Sequence, residues 1–231
     1  MLKEKRGSHV GVVLSFVIFI VFLVFLFSAL QPALKTEKDK EAILEYIKNS
    51  IIELSSDNLT IESVIVDNIG NIYDCVKINK LESDKNIIVK DSSENIIDYY
   101  INSEIISDDL NADKSIFKIY YSKSIVAQPS PQPTCVNTKT NPDISFIDKE
   151  TIIFVSKFKN VADGNYDLLK QELGINAGTD FTFTLLDANK TNITNMKKTD
   201  ISTNVYVDEF PVLYANENGE IKSGFINIRV W

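Results

Sequence analysis

Val10–Leu30 reads VGVVLSFVIFIVFLVFLFSAL, 21 residues without a charge. At a helical rise of 1.5 Å per residue, such a run is roughly 31 Å long, the thickness of a bilayer's hydrocarbon core. Its only polar side chains, Ser15 and Ser28, can bond back to carbonyls of their own helix. The stretch therefore predicts a transmembrane helix over residues 10–31. Lys3, Lys5 and Arg6 precede it, opposed only by Glu4. Positive charge beside a span stays in the cytoplasm. Residues 1–9 read as a basic cytoplasmic tail, and the rest of the chain reads as extracytoplasmic, on a single-pass protein of the cell membrane. Downstream, Lys35, Lys38 and Lys40 are interleaved with Glu37, Asp39 and Glu41. A removable secretory signal is the alternative, but its apolar region is shorter and ends in small residues spaced for cleavage. The sequence that follows here, SALQPALKT, is a poor cleavage site.

Setting aside the tail's four charges, the chain's 24 basic and 32 acidic residues leave the outer part at about −10. Nucleic acid calls for basic patches, so that partner class is excluded. The two cysteines, Cys75 and Cys135, suggest a disulfide outside the cytoplasm, with two buried thiols as the alternative.

Pro32 is expected to end or kink the anchor. Thr36 and Asp39 then resemble a capping box opening a second, amphipathic stem helix over 36–56, with Leu44, Ile47, Ile51 and Leu54 on its apolar face. Residues 57–231 read as one β-rich domain. Ile61–Val66 and Ile72–Ile78 flank a turn-like Asp67–Asn71 and predict a hairpin. Further strands are expected at Ile87–Lys90, Ile96–Ile101, Ile116–Ser122, Thr151–Ser156, Asp180–Leu186, Thr203–Asp208, Pro211–Ala215 and Lys222–Trp231. Asn218-Gly219 supplies the turn before the last of these. One short helix is expected, capped by Asp163, with Tyr166, Leu169 and Leu173 inward and Gly174 stopping it. AQPSPQPT, 127–134, reads as an exposed Pro-rich loop. The fold class is α+β, with a mainly antiparallel outer domain.

Chemistry-bearing motifs are sparse. The lone histidine, His9, lies beside the span on its cytoplasmic side, which rules out histidine catalysis in the outer domain. Asp109, Asn111 and Asp113 begin like a calcium loop, but Lys114 stands where glycine is needed and Tyr120 where the bidentate Glu is needed. No catalytic residue, metal or cofactor is assigned, and no enzyme is expected. Asn58, Asn189 and Asn192 each open an Asn-x-Thr acceptor for glycosylation. Gly7, Gly11 and Ser15 fall four apart, the small-residue spacing that lets helices associate in lipid.

Lys5-Arg6-Gly7 directly before an unbroken apolar helix resembles the class III, prepilin-type signal of archaeal pilin-like surface proteins. Tyr166–Gly174 (YDLLKQELG), Asp180–Phe183 and the ending from Asn218 through Val230-Trp231 resemble segments of uncharacterised archaeal anchored proteins. The resemblance implies cleavage by a prepilin-type peptidase between Gly7 and Ser8. It also implies a helix that remains as anchor or becomes the core of a filament, and a structural or adhesive role. Many pilins carry a Glu at the fifth mature position, where this chain has Val12. The alternative is a bitopic protein whose outer domain binds a ligand or partner without assembling.

Overall fold

The computed structural model describes residues 8–67, 75–79, 84–101, 104–108, 114–126, 135, 137–140, 142–196 and 205–231. Helix α1 runs unbroken from Ser8 to Ser55, 48 residues. The expected boundary at Pro32 does not exist. Proline in a helix interior costs about 3 kcal/mol. It withholds only one N–H, however, and Ala33, Leu34, Lys35, Glu37, Lys38, Lys40, Glu41 and Ala42 all favour helix. With the helix already formed, Thr36 and Asp39 stand at no N-terminus and have none to cap. Val10–Leu30 is long and apolar enough to cross a membrane, and none of it is buried against the rest of the chain.

The last turns of α1 behave differently. Leu44, Ile47 and Ile51 are buried, whereas Leu54 is 37% exposed and stands off the predicted stripe. The helix passes without a loop into strand β1 (Ser56–Asp67). There the Ser56 hydroxyl donates to the Ile52 carbonyl at 2.6 Å, satisfying one of the helix's last acceptors.

The fold is α+β, built on a curled eight-stranded sheet. Besides β1 this sheet holds β3 (Asn86–Asp91), β6 (Lys114–Ser122), β8 (Asp143–Phe154), β9 (Phe181–Asp187), β10 (Asn192–Asn195), β11 (Tyr206–Ala215) and β12 (Ile221–Val230), in the order β10-β9-β12-β11-β8-β1-β6-β3. A smaller sheet has the order β4-β5-β2-β7, from β2 (Cys75–Asn79), β4 (Tyr99–Ile101), β5 (Glu104–Asp108) and β7 (Thr138–Thr140). Pairing is antiparallel except for β2–β7 and β8–β11. The β8–β11 contact is brief, confined to Ile153 opposite Tyr214 and Phe154 opposite Ala215.

The predicted hairpin of Ile61–Val66 with Ile72–Ile78 is not formed. β1 pairs with β6 and β8, and β2 lies in the other sheet. One short helix was expected here and two are present. Helix α2 (Val155–Asp163) follows β8 directly, starting where the Thr151–Ser156 strand was expected to end. Helix α3 (Tyr166–Glu172) is capped by the Asn165 side chain, which accepts from Leu168 N–H at 3.1 Å, and not by Asp163. Gly174 does take the left-handed conformation that closes it. The strands expected at Thr203–Asp208 and Pro211–Ala215 are one strand, β11. The Asp109–Asp113 loop and the Pro-rich 127–134 segment lie outside the described residues, as do 197–204.

Three apolar clusters hold these layers. Ile47 and Ile51 of α1, Phe158 of α2 and Leu169 of α3 pack on Phe181, Phe183, Ile226, Ile228 and Val230. Val64, Val66, Ile119 and Tyr121 pack against Val76, Ile78 and Tyr99 of the small sheet. Leu59, Ile88, Tyr120, Ile152, Phe154 and Ala215 form a third. Gly224 sits at the tightest point of the large sheet: a Cβ there would stand 2.2 Å from the Leu186 carbonyl oxygen.

Candidate functional sites

The resemblance-bearing segment Tyr166–Phe183 forms a staple between α3 and β9. The Tyr166 hydroxyl and the Lys170 ammonium both donate to Asp180 Oδ1 at 2.8 Å, and Phe181 N–H donates to the Tyr166 oxygen at 3.1 Å. Burial first, and the Asp180 carboxylate with it, push the Tyr166 hydroxyl up to about 12. This cluster joins helix to sheet and keeps its donors and acceptors occupied.

Among the described residues, two clefts open on the β-rich domain. One, of about 700 Å³, is lined by Asp57, Asn86, Lys123, Ser124, Ser156, Lys157 and Asn160 among others. The hydroxyl of Ser124 donates to Asp57 Oδ2 at 2.6 Å, and Lys157 donates to the Ser56 carbonyl at 2.8 Å. Burial raises the Asp57 carboxyl, but the Ser124 hydroxyl, the Asn58 N–H and the Lys157 charge outweigh it and hold it below the usual value. So acidic a group is a weak base toward Ser124. The arrangement suits holding a polar ligand better than activating a nucleophile.

The second cleft, of about 550 Å³, lies over the sheet face that carries Ile61 and Ser63 of β1, Lys118 and Tyr120 of β6, Lys90 of β3, and Phe146 and Asp148 of β8. Lys90 is 1% exposed. Its ammonium donates to the Gly219 carbonyl at 3.1 Å, sits 4.6 Å from the Tyr120 ring centre, and lies 3.8 Å from Glu94. Burial lowers the Lys90 pKa, and Glu94 and Glu220 work against that fall. Glu94 adopts a positive φ of 66°, a conformation that costs a non-glycine residue free energy. From there it accepts from Lys118 and, at 2.8 Å, from the Tyr120 hydroxyl. These residues carry no sequence motif. The one sequence signal was a lysine closing the otherwise apolar strand Ile87–Lys90.

Behind the same sheet, Glu62 is fully buried. Its Oε2 accepts from the Tyr121 hydroxyl at 2.7 Å and its Oε1 has no partner among the described residues. Burial raises the Glu62 carboxyl above its usual value, and the Tyr121 bond offsets this only in part. The native state then holds the proton more tightly than the unfolded chain. The associated stability is full below the unfolded value and is lost as pH rises through the folded one. Glu62→Gln, which mimics the protonated group, should therefore gain on the native protein as pH is raised from 4 toward 8. A tenfold difference in proton affinity is worth about 1.4 kcal/mol. Urea unfolding of both proteins across that range measures it, and parallel pH curves would refute it.

The other sequence candidates stand apart from the clefts or at their edges. Cys75 and Cys135 form a disulfide, with Cα atoms 5.8 Å apart. Of the glycosylation acceptors, Asn58 is exposed but accepts from the Thr151 hydroxyl at 3.1 Å, and Thr60 of its motif is buried. Asn189 is exposed in the turn after β9, and Asn192 is exposed on the edge strand β10. Gly11 and Ser15 are exposed on α1, where a side chain at position 11 would meet nothing. Lys3, Lys5, Arg6 and Gly7 lie outside the described residues, and Ser8 begins α1. Tyr120, the position a calcium loop would give to its last ligand, is buried against Glu94. Among the described residues no group of three or more His, Cys, Asp or Glu is placed to hold a metal ion. No protein-family model, curated protein or solved structure matches this chain.

Proposed function

We propose that this chain is a pilin-like, membrane-anchored surface protein with a structural or adhesive role and no catalytic one. In this reading the N-terminus is cytoplasmic, the β-rich domain is extracytoplasmic, and a prepilin-type peptidase cuts between Gly7 and Ser8. The observation that supports it best is the single helix α1. Its first part, Val10–Leu30, is uncharged, strongly apolar and bare, and its last turns are built into the domain core through Ile47 and Ile51. A removable leader needs no such continuity with the folded body. Bare apolar surface over 21 residues calls for lipid or for other copies of the same helix. Gly11 and Ser15 remain after the proposed cut and Gly7 does not, so the small-residue face would be shortened by processing. Mass spectrometry of the N-terminus in the native membrane tests the reading. A start at Ser8 is expected, and an intact Met1–Gly7 overturns the processing step.

The second reading is a bitopic protein that binds a ligand or partner without assembling. The two clefts of about 550 and 700 Å³ favour it, being of ligand size. An intact N-terminus, together with protein that stays monomeric in detergent, is the outcome it requires.

A further inference from the structure

Among the described residues, β8 is paired along nearly its whole length on one edge only. Toward β1 its ladder runs from Ile153 opposite Ser56 to Asp143 opposite Ile65. Toward β11 it is paired only at Ile153 and Phe154. Asp143–Ile147 are all exposed, with Ile144 52%, Phe146 59% and Ile147 42% accessible. Such an edge presents a row of free N–H and C=O groups, and proteins normally guard it with proline, short length or inward lysines. β8 is long and holds no proline between Asp143 and Phe154; its guards are its charged side chains and an irregularity at Ser145, where the register to β1 shifts. β11, which runs parallel to it, is likewise unpaired on this side over Tyr206–Leu213 and carries Pro211 there.

Register decides what would fit. Phe146, Asp148 and Glu150 lie opposite Ser63, Ile61 and Leu59, so they share the face of the 550 Å³ cleft, where Phe146 and Asp148 line the wall. Among the described residues, Asp143, Asp148 and Glu150 have no hydrogen bond or ion pair, in contrast to Glu94 and Glu220 across the cleft. An antiparallel pairing of two β8 strands centred between Phe146 and Ile147, the middle of the exposed stretch, would set Asp143 against Glu150 of the other copy, and like charges directly opposite are destabilising. We propose that the open edge of β8 is a strand-addition site for an extended segment of another protein that alternates lysine or arginine with apolar side chains. Main-chain bonds to β8 give the affinity. Cations reach Asp148 and Glu150 on the cleft side, beside the Phe146 ring, and apolar side chains cover Ile147 on the other.

The test uses the full chain in detergent micelles and a short synthetic peptide alternating valine and lysine. Binding is expected, with hydrogen-exchange protection confined to amides within Asp143–Glu150. The same peptide carrying N-methyl groups on alternate amides keeps its charge but cannot extend the ladder, and should bind roughly tenfold more weakly or worse. Asp148→Asn with Glu150→Gln should weaken binding by roughly three- to tenfold and flatten its salt dependence. Absence of binding, equal binding of the methylated peptide, or binding without protection of β8 would overturn the proposal. So would concentration-dependent protection of the same amides in the protein alone, which would assign the edge to a second copy.

Discussion

A chain ending at Gly224 should not fold. The residues removed, Phe225–Trp231, include Ile226, Ile228 and Val230, each fully buried in the cluster beneath α1, α2 and α3. Burying each is worth about 1.5–3 kcal/mol, so roughly 6 kcal/mol goes with them, against a total stability of about 5–15 kcal/mol for a typical domain. The loss is also topological. β12 is paired with β11 on one side and β9 on the other, from Phe225 opposite Pro211 and Leu186 to Val230 opposite Tyr206 and Phe181. Trp231 adds a reciprocal pair of main-chain bonds to Asp180, both 2.9 Å. Without this strand β9 and β10 have no sheet to join. Circular dichroism through a thermal ramp should show no cooperative transition for the shortened chain. A melt at the native temperature would refute the claim.

Serine at both Cys75 and Cys135 should destabilise the protein by about 4 kcal/mol in the chain-entropy account, which scales with the loop closed. That loop spans 60 residues. The damage should be local before it is global. Cys75 opens β2, whose neighbour β7 is a strand of three residues held in parallel register from Cys75 opposite Thr138. Cys75 N–H donates to the Asn137 carbonyl at 3.3 Å, two residues past the other cysteine. The bond thus holds a strand too short to hold itself. Hydrogen exchange in the serine variant should rise first in β2, β5 and β7, with the β9–β12 region unchanged. Equal denaturation midpoints with and without reductant would contradict this.

Sequence patterning was informative where a signal is local. The apolar run of α1, the buried alternation of Ile226, Ile228 and Val230, and the Asn-Gly turn before β12 each follow from short-range chemistry. In that turn Gly219 takes the positive φ, and Asn216 Oδ1 accepts from the N–H groups of Asn218 and Glu220 at 3.0 Å. Strand pairing was not readable, because partners are chosen by burial between distant segments. Thr60 finds Tyr121 and Lys149 as its neighbours, and no window around Thr60 contains them. The first half of β8, DISFIDKE, was missed as a strand for a different reason: it is exposed on both faces, and its alternation of polar and apolar residues breaks at Ile147. The Lys90, Glu94, Lys118 and Tyr120 cluster was invisible since it assembles from strands β3 and β6 and the turn after β3. Pro32 misled because a local penalty was weighed without the strong helix formers that follow it.

The unbroken course of α1 through Pro32 has a mechanical consequence. A linker between an apolar segment and a folded body works as a rope, which slackens, swivels and lets either end move alone. A continuous helix of 48 residues, with a contour of roughly 72 Å, does none of these. Tension applied to the Val10–Leu30 end reaches Ile47 and Ile51 undiminished, and there it acts as shear against the strands they pack on. Grip at the apolar end and cohesion of the core are therefore links in series, and the weaker of the two sets the load at which this molecule lets go.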